Sequence, residues 1–237
     1  MTVKSLLLSA GLGTRLRPLT LHTPKCLVSI GGQILLDRWL SSLEELGCSE
    51  TIVNTHYLSE MVEAFLLSRK QSRMKIVSKY EEQLLGTAGT LIENKKFFKN
   101  STGILIHADN ITNFKLNKLI ECHRSRPSNC LLTMLTFETN NPSKCGIVRT
   151  NSDGIVVDFL EKSSSPHGNC ANGAIYCFDY ELITFLERLG PDINDFSTQV
   201  IPSLIGKIKA LHTNEIFLDI GTPESLKDAQ KIWADKN

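Results

Sequence analysis

Apolar and polar positions along the first half of the chain follow two alternating rhythms. Short apolar runs at 3–9, 51–54, 74–79 and 103–108 have the length of strands. Between them, 34–46, 58–69, 86–94 and 115–125 carry apolar residues three and four apart, the spacing of one helix face. Strand and helix take turns, which is the pattern of a parallel, doubly wound sheet. Right-handed crossovers would put the loops after 3–9 and 103–108 on one carboxyl edge, where ligands of such sheets bind.

The rhythm changes in the second half. A strand at 130–137 is followed by a loop with Pro142, then by strands 145–150 and 154–160 joined at Asn151-Ser152-Asp153-Gly154, and by a strand at 173–178. Helices are expected at about 179–189, 195–206 and 222–235, the last opened by Thr222-Pro223-Glu224, a capping residue with proline at the first helical position. The expected fold is α/β: a Rossmann-like, doubly wound, mostly parallel sheet with a small hairpin-bearing lobe. No linker-like, repeated or low-complexity segment appears, so one domain over 1–237 is expected, with halves of about 1–125 and 126–237.

Composition narrows the partners. The chain has 237 residues, 41% of them hydrophobic, and 26 basic against 25 acidic side chains, a formal net charge of +1. That balance gives no global field for nucleic acid or an anionic membrane, so anion recognition must be local and the partner small. No stretch approaches the ~20 consecutive apolar residues of a membrane helix. The seven cysteines, at 26, 48, 122, 130, 145, 170 and 177, form no Cys-x-x-Cys pair. They read as reduced thiols of a cytoplasmic protein, mostly buried as small hydrophobes.

Local anion recognition has a candidate at the first strand's end. Val3–Ser9 breaks into Ala10-Gly11-Leu12-Gly13-Thr14-Arg15-Leu16-Arg17-Pro18-Leu19-Thr20, then Thr23-Pro24-Lys25. Gly11 and Gly13 let backbone N–H groups approach an anion, and Arg15 and Lys25 bring full charges to the same segment. Leu16 stands where a dinucleotide fingerprint wants its third glycine, and the Gly-Lys-Ser/Thr of a Walker loop is missing. A tight turn with incidental surface cations is the competing reading. Asp109 and Asp219 each follow a strand-like run and are candidate magnesium ligands, since that metal takes one or two carboxylates plus phosphate oxygens. Turn formation or helix capping accounts equally well for an aspartate at such breaks.

Taken together, the motifs resemble one family. The segment 11–20 with Pro24-Lys25 is similar to the signature of the nucleoside triphosphate:sugar-1-phosphate nucleotidyltransferases. Five further matches follow in the family's order: Leu85-Gly86-Thr87-Ala88-Gly89, His107-Ala108-Asp109-Asn110, Glu161-Lys162, Asn172-Gly173-Ala174-Ile175-Tyr176 and Asp219-Ile220-Gly221-Thr222-Pro223. They cover roughly residues 3 to 228, and six ordered motifs are far more specific than any one of them. Two departures stand out: Ala108 where the family often has glycine, and Ser163 where proline usually follows Glu-Lys.

The resemblance implies the nucleotide-diphospho-sugar transferase fold, with a nucleotide-binding first half and a sugar-phosphate-binding second half. It implies that Leu8, Ala10, Gly11, Leu12, Gly13, Thr14, Arg15, Lys25, Gln83, Gly86 and Thr87 contact the nucleotide, the last two lining the base pocket. Gly146, Glu161, Lys162 and Asn172 would hold the sugar 1-phosphate, Asp109 and Asp219 would hold Mg2+, and Arg15, Lys25 and Lys162 would act as catalytic cations. Leu-Gly-Thr-Ala-Gly resembles the mannose-1-phosphate guanylyltransferases, so GTP with mannose 1-phosphate or a related heptose or hexose phosphate ranks first. Uridylyl transfer to N-acetylmuramate 1-phosphate or a hexose 1-phosphate is the alternative within the family. A non-catalytic sugar-nucleotide sensor and a glycosyltransferase are the rivals of other kinds, and the second would want an Asp-x-Asp motif that does not occur. The C-terminal β-helix of longer relatives is not expected after Asn237, and a homo-oligomer is left open.

Overall fold

The computed structural model describes residues 2–69 and 72–234. In chain order it contains β1 (Thr2–Leu8), a ribbon of β2 (Ser29–Ile30) and β3 (Gln33–Ile34), α1 (Leu35–Leu46), β4 (Glu50–Thr55), α2 (Ser59–Ser68) and β5 (Lys75–Tyr80). There follow α3 (Gly86–Glu93), β6 (Ser101–His107), β7 (Asn110–Thr112), α4 (Leu116–Arg124), β8 (Leu132–Glu138), β9 (Gly146–Thr150) and β10 (Val156–Glu161). The rest is β11 (Cys170–Phe178), α5 (Tyr180–Leu189), α6 (Ile201–Ser203), β12 (Ile208–Thr213), β13 (Phe217–Asp219) and α7 (Pro223–Ala234). This is the expected α/β class, a mixed fold with a central, mostly parallel sheet.

The chain packs as two units that interleave in sequence. One takes residues 5–84, 106–114 and 216–237; the other takes 1–4, 85–105 and 115–215. In the first, β1, β4 and β5 lie side by side in that order, and β4 pairs with β5 in parallel register from Glu50 opposite Lys75 to Thr55 opposite Tyr80. Helix α1 buries Leu35, Leu36, Trp39, Leu40 and Leu43, one apolar stripe at helical spacing. It stops at Gly47, whose φ of 78° suits the left-handed position that closes a helix. A cluster of Leu16, Val28, Ile30, Leu35, Ile111, Ile220, Ala229 and Trp233 forms a core under the loops of this unit.

In the other unit the strands run in the order β10, β9, β11, β6, and β8 joins β11 antiparallel and β12 parallel. The predicted hairpin is present: β9 and β10 pair antiparallel. Asn151 Oδ1 holds its turn by accepting from the N–H groups of Asp153 (3.0 Å) and Ile155 (2.9 Å).

Several elements differ from the expectation, and the short strands β2, β3 and β7 had no counterpart in it. Strand β12 was not foreseen, because Ile208-Lys209-Ala210-Leu211-His212-Thr213 is too mixed in polarity to stand out before β8 is there to pair with it. The helix expected over 195–206 is a π turn at Phe196–Val200 followed by the short α6, broken before Gly206 at φ 82°. Strand β11 begins at Cys170 rather than 173 and carries a register irregularity between Asn172 and Tyr176. Helix α7 begins where Thr222-Pro223 predicted, with Thr222 Oγ1 accepting from Ser225 N at 3.2 Å. Its expected last position, 235, lies outside the described residues.

Candidate active site

Two short strands bring together carboxylates that stand far apart in sequence. Strand β7 follows Asp109 immediately and pairs antiparallel with β13, Asn110 opposite Asp219, while Ile220 N donates to Asp109 O at 2.9 Å. Both side chains meet one ammonium group. Lys25 Nζ donates to Asp109 Oδ2 at 2.6 Å and stands 3.6 Å from Asp219 Oδ1. Arg15 joins this group from the glycine loop, since a Cβ built on Gly221 would lie 2.8 Å from Asp219 Oδ2 and 2.9 Å from Arg15 Nη2.

The apolar cluster explains how the charges are aimed. Leu16 follows Arg15, Ile220 follows Asp219, Ile111 lies two residues after Asp109 and Val28 three after Lys25, and all four apolar residues are buried together. Anchoring those side chains in the core leaves their charged neighbours at its rim.

The two carboxylates shift in opposite directions. Burial works to raise Asp109, but the Lys25 ammonium and then His107 outweigh it and hold the carboxyl below its ordinary value. Loss of hydration and then the Asp109 charge hold the Asp219 carboxyl above its ordinary value, with Lys25 and Arg15 pulling it down by less. One cation thus serves two anions and satisfies the nearer.

The glycine loop enters this site from β1. Ala108 N donates to Leu8 O at 3.0 Å, so the ends of β1 and β6 lie together. Leu8 is half-buried and Ala10 buried, whereas Gly11, Leu12 and Thr14 are exposed. Gly13 has a φ of 62°, and a Cβ there would lie 2.9 Å from the Thr20 methyl group, so glycine is required on two counts. Gln83, also in this unit, is exposed after β5.

The remaining predicted residues belong to the other unit. Gly86 opens α3 at φ 77°, and a Cβ there would run into Asn194 O, which accepts from Ala88 N at 2.9 Å. Thr87 Oγ1 accepts from Phe196 N at 2.7 Å. Gly146 lies opposite Glu161 in the β9–β10 register, and a Cβ there would come 2.5 Å from Glu161 Oε2. Lys162, at φ 48°, places Nζ 3.3 Å from Glu161 Oε1. Asn172 donates from Nδ2 to Tyr176 OH at 2.7 Å and accepts from Ala174 N at 2.9 Å, which bridges the irregularity in β11. The Tyr176 ring packs 4.5 Å from that of Phe196, and burial pushes its hydroxyl well above the ordinary tyrosine value.

Sequence reasoning missed residues that hold the site from behind. Asn54, Tyr57 and Glu81 bond to the glycine loop or to one another, and no local motif marks them because their partners lie 27 to 45 residues away. Among the described residues no cluster of three or more His, Cys, Asp or Glu side chains could hold a metal, and no helix is long and apolar enough to cross a membrane. Asp109 and Asp219 are a two-carboxylate, all-oxygen donor set, which fits a hard divalent cation that completes its shell with phosphate oxygens and water.

The family model described as nucleotidyl transferase matches residues 4–236. A protein named mannose-1-phosphate guanylyltransferase catalytic subunit beta, from Drosophila pseudoobscura pseudoobscura, is 30% identical over 93% of this chain and 60% of its own length. A mannose-1-phosphate guanyltransferase from Pichia angusta is 30% identical over 98% of the chain and 64% of its own. The chain therefore spans about three fifths of the length of these relatives. The crystal structure of HddC from Yersinia pseudotuberculosis superposes with a TM-score of 0.81 at 26% identity, covering 97% of this chain and 99% of that one, and a further structure of HddC is a complex with GMP-PN.

Proposed function

The chain belongs to the nucleotidyl transferase family, and from that premise we propose that it transfers a guanylyl group from GTP to mannose 1-phosphate or a related hexose or heptose 1-phosphate, releasing pyrophosphate. One observation carries the reading: Lys25, Asp109 and Asp219 meet at a single point, beside Arg15 and at the end of a glycine loop. The names of the relatives support guanine and mannose as the first substrates to test.

In this reaction an oxygen of the sugar phosphate forms a bond to the α-phosphorus while the bond from that phosphorus to the bridging oxygen of pyrophosphate breaks. A phosphate oxygen is already an anionic nucleophile, so neither a protein base nor a covalent intermediate is needed. The obstacle is repulsion between two polyanions. Lys25 and Arg15 reduce it with charge fixed before the substrates arrive, and the N–H groups of residues 11–13 cradle the leaving phosphates. Held by Asp109 and Asp219, Mg2+ would supply further positive charge at the phosphate. Gly86 and Thr87 toward the base, and Gly146, Glu161, Lys162 and Asn172 toward the sugar 1-phosphate, are parts of the same proposal.

The test is pyrophosphate release with Mg2+ over a grid of GTP, UTP, dTTP, ATP and CTP against mannose, glucose, heptose and N-acetylmuramate 1-phosphates. Highest turnover is expected with GTP and a mannose-type phosphate. Highest turnover with UTP would move the assignment to uridylyl transfer, and no release in any well would refute it.

A further inference from the structure

A glycine loop is a poor anion receptor unless something holds it open, because ordering it on binding costs conformational entropy. Residues 10–13 make no strand ladder of their own, and the start of the loop is tied to the end of β4. At the loop's start, Ser9 N donates to Asn54 Oδ1 at 2.7 Å and Ser9 Oγ donates to Asn54 O at 2.5 Å. Asn54 is itself fixed: it is 3% exposed, and its Nδ2 donates to Glu81 Oε1 at 3.0 Å. Glu81 is anchored on the same strand end, its N–H donating to Thr55 O at 2.8 Å and its carbonyl oxygen lying 2.8 Å from His56 Nδ1.

At the loop's other end, at Gly13, the link runs through Thr20. This wholly buried residue donates from Oγ1 to Gly13 O at 2.7 Å, and its methyl group fills the space a Cβ on Gly13 would need. Tyr57 OH donates to Thr20 O at 2.9 Å. Two side chains three positions apart therefore secure both ends of the phosphate cradle.

We propose that Asn54 and Tyr57 are positioning residues that hold the glycine loop in its anion-binding shape and thereby set the affinity for nucleoside triphosphate. The inference rests on the nucleotidyl-transfer reading, since it concerns the loop assigned there to the phosphates. Both residues act through others, Asn54 through Ser9 and Tyr57 through Thr20 and Gly13. A role in packing alone would lower thermal stability without singling out one substrate.

The experiment is calorimetric titration of the full chain with GTP and Mg2+, with KM values for both substrates. Tyr57→Phe removes one hydroxyl and is expected to weaken GTP about tenfold, the upper range for one net hydrogen bond, while KM for the sugar 1-phosphate stays within about twofold. Asn54→Asp keeps the acceptor for Ser9 but sets a second carboxylate against Glu81, and should weaken GTP by more than tenfold. Adding Glu81→Gln to Asn54→Asp restores a donor–acceptor pair and should recover affinity to within about threefold of wild type. Wild-type GTP affinity in Tyr57→Phe and Asn54→Asp, or no recovery in the pair, would overturn the brace while leaving the reaction intact. A wild-type chain that binds no nucleoside triphosphate would overturn the reaction and the brace with it.

Discussion

At the scale of single residues, the site depends on glycines for two different reasons. Gly13 is fixed by backbone: its φ of 62° and the buried Thr20 methyl leave no room for a side chain. Gly221 has no such φ, and a Cβ there would meet only the ends of two side chains, Asp219 Oδ2 and Arg15 Nη2. Gly221→Ala should accordingly leave stability within about 0.5 kcal/mol of wild type, because those ends can move. The displaced carboxylate and guanidinium should lower turnover by at least tenfold, and unchanged turnover would contradict the placement of Arg15 and Asp219 at the reacting phosphates. Gly11, Gly13, Arg15 and Lys25 were legible in the sequence because one contiguous segment carries them. Asn54 and Tyr57 were not, since an asparagine and a tyrosine after a strand have no signature until the loop they hold has folded back on them.

At the scale of elements, the strand and helix alternation was readable wherever burial imposes a clean period, as in α1 or β6. It failed at β12, whose place depends on β8 beside it, and at 195–206, where an apolar rhythm was realised as a π turn and a short helix. Asp179 shows how elements are tied by charge. It precedes α5 and accepts from Thr102 Oγ1 at 2.9 Å and Arg126 Nη2 at 2.8 Å, with His123 Nε2 at 3.4 Å, thus joining β6 and the end of α4 to α5. The neighbouring His123 leads, and with Arg126 and Thr102 it outweighs burial, depressing the carboxyl well below its ordinary value. Burial lowers the His123 imidazole below its own ordinary value, against the pull of Asp179. A depressed carboxylate contributes stability that is present above the unfolded value of about 3.9 and is lost as pH falls toward the folded one. Melting temperatures of wild type and Asp179→Asn should differ most at neutral pH and converge below about pH 4. A gap that stays constant down to pH 2 would show that the carboxylate charge is not what matters.

At the scale of the whole molecule, the fold class was legible from alternation and the family from the order of six motifs, but the interleaving of two units was not. Segments 106–114 and 216–237 join residues 5–84 through the β7–β13 pairing and the packing of α7 against β2, contacts between positions a hundred or more apart. That pairing turns two separate aspartates into one site. Ligand linkage should appear at this scale too. GTP with Mg2+ at a hundred times its dissociation constant adds ~2.7 kcal/mol, which for a chain of this size raises the melting temperature by about 5–10 °C; a shift below 1 °C at saturating GTP would argue against guanine recognition. The central claim is that Lys25 neutralises repulsion between two polyanions at the point where Asp109 and Asp219 meet. Its most direct test is the rate of pyrophosphate release by Lys25→Ala with saturating GTP, Mg2+ and mannose 1-phosphate, circular dichroism confirming an intact fold. Removal of one such preorganised charge predicts a turnover lowered by at least a hundredfold, about 3 kcal/mol, and a rate within a few-fold of wild type would contradict the account.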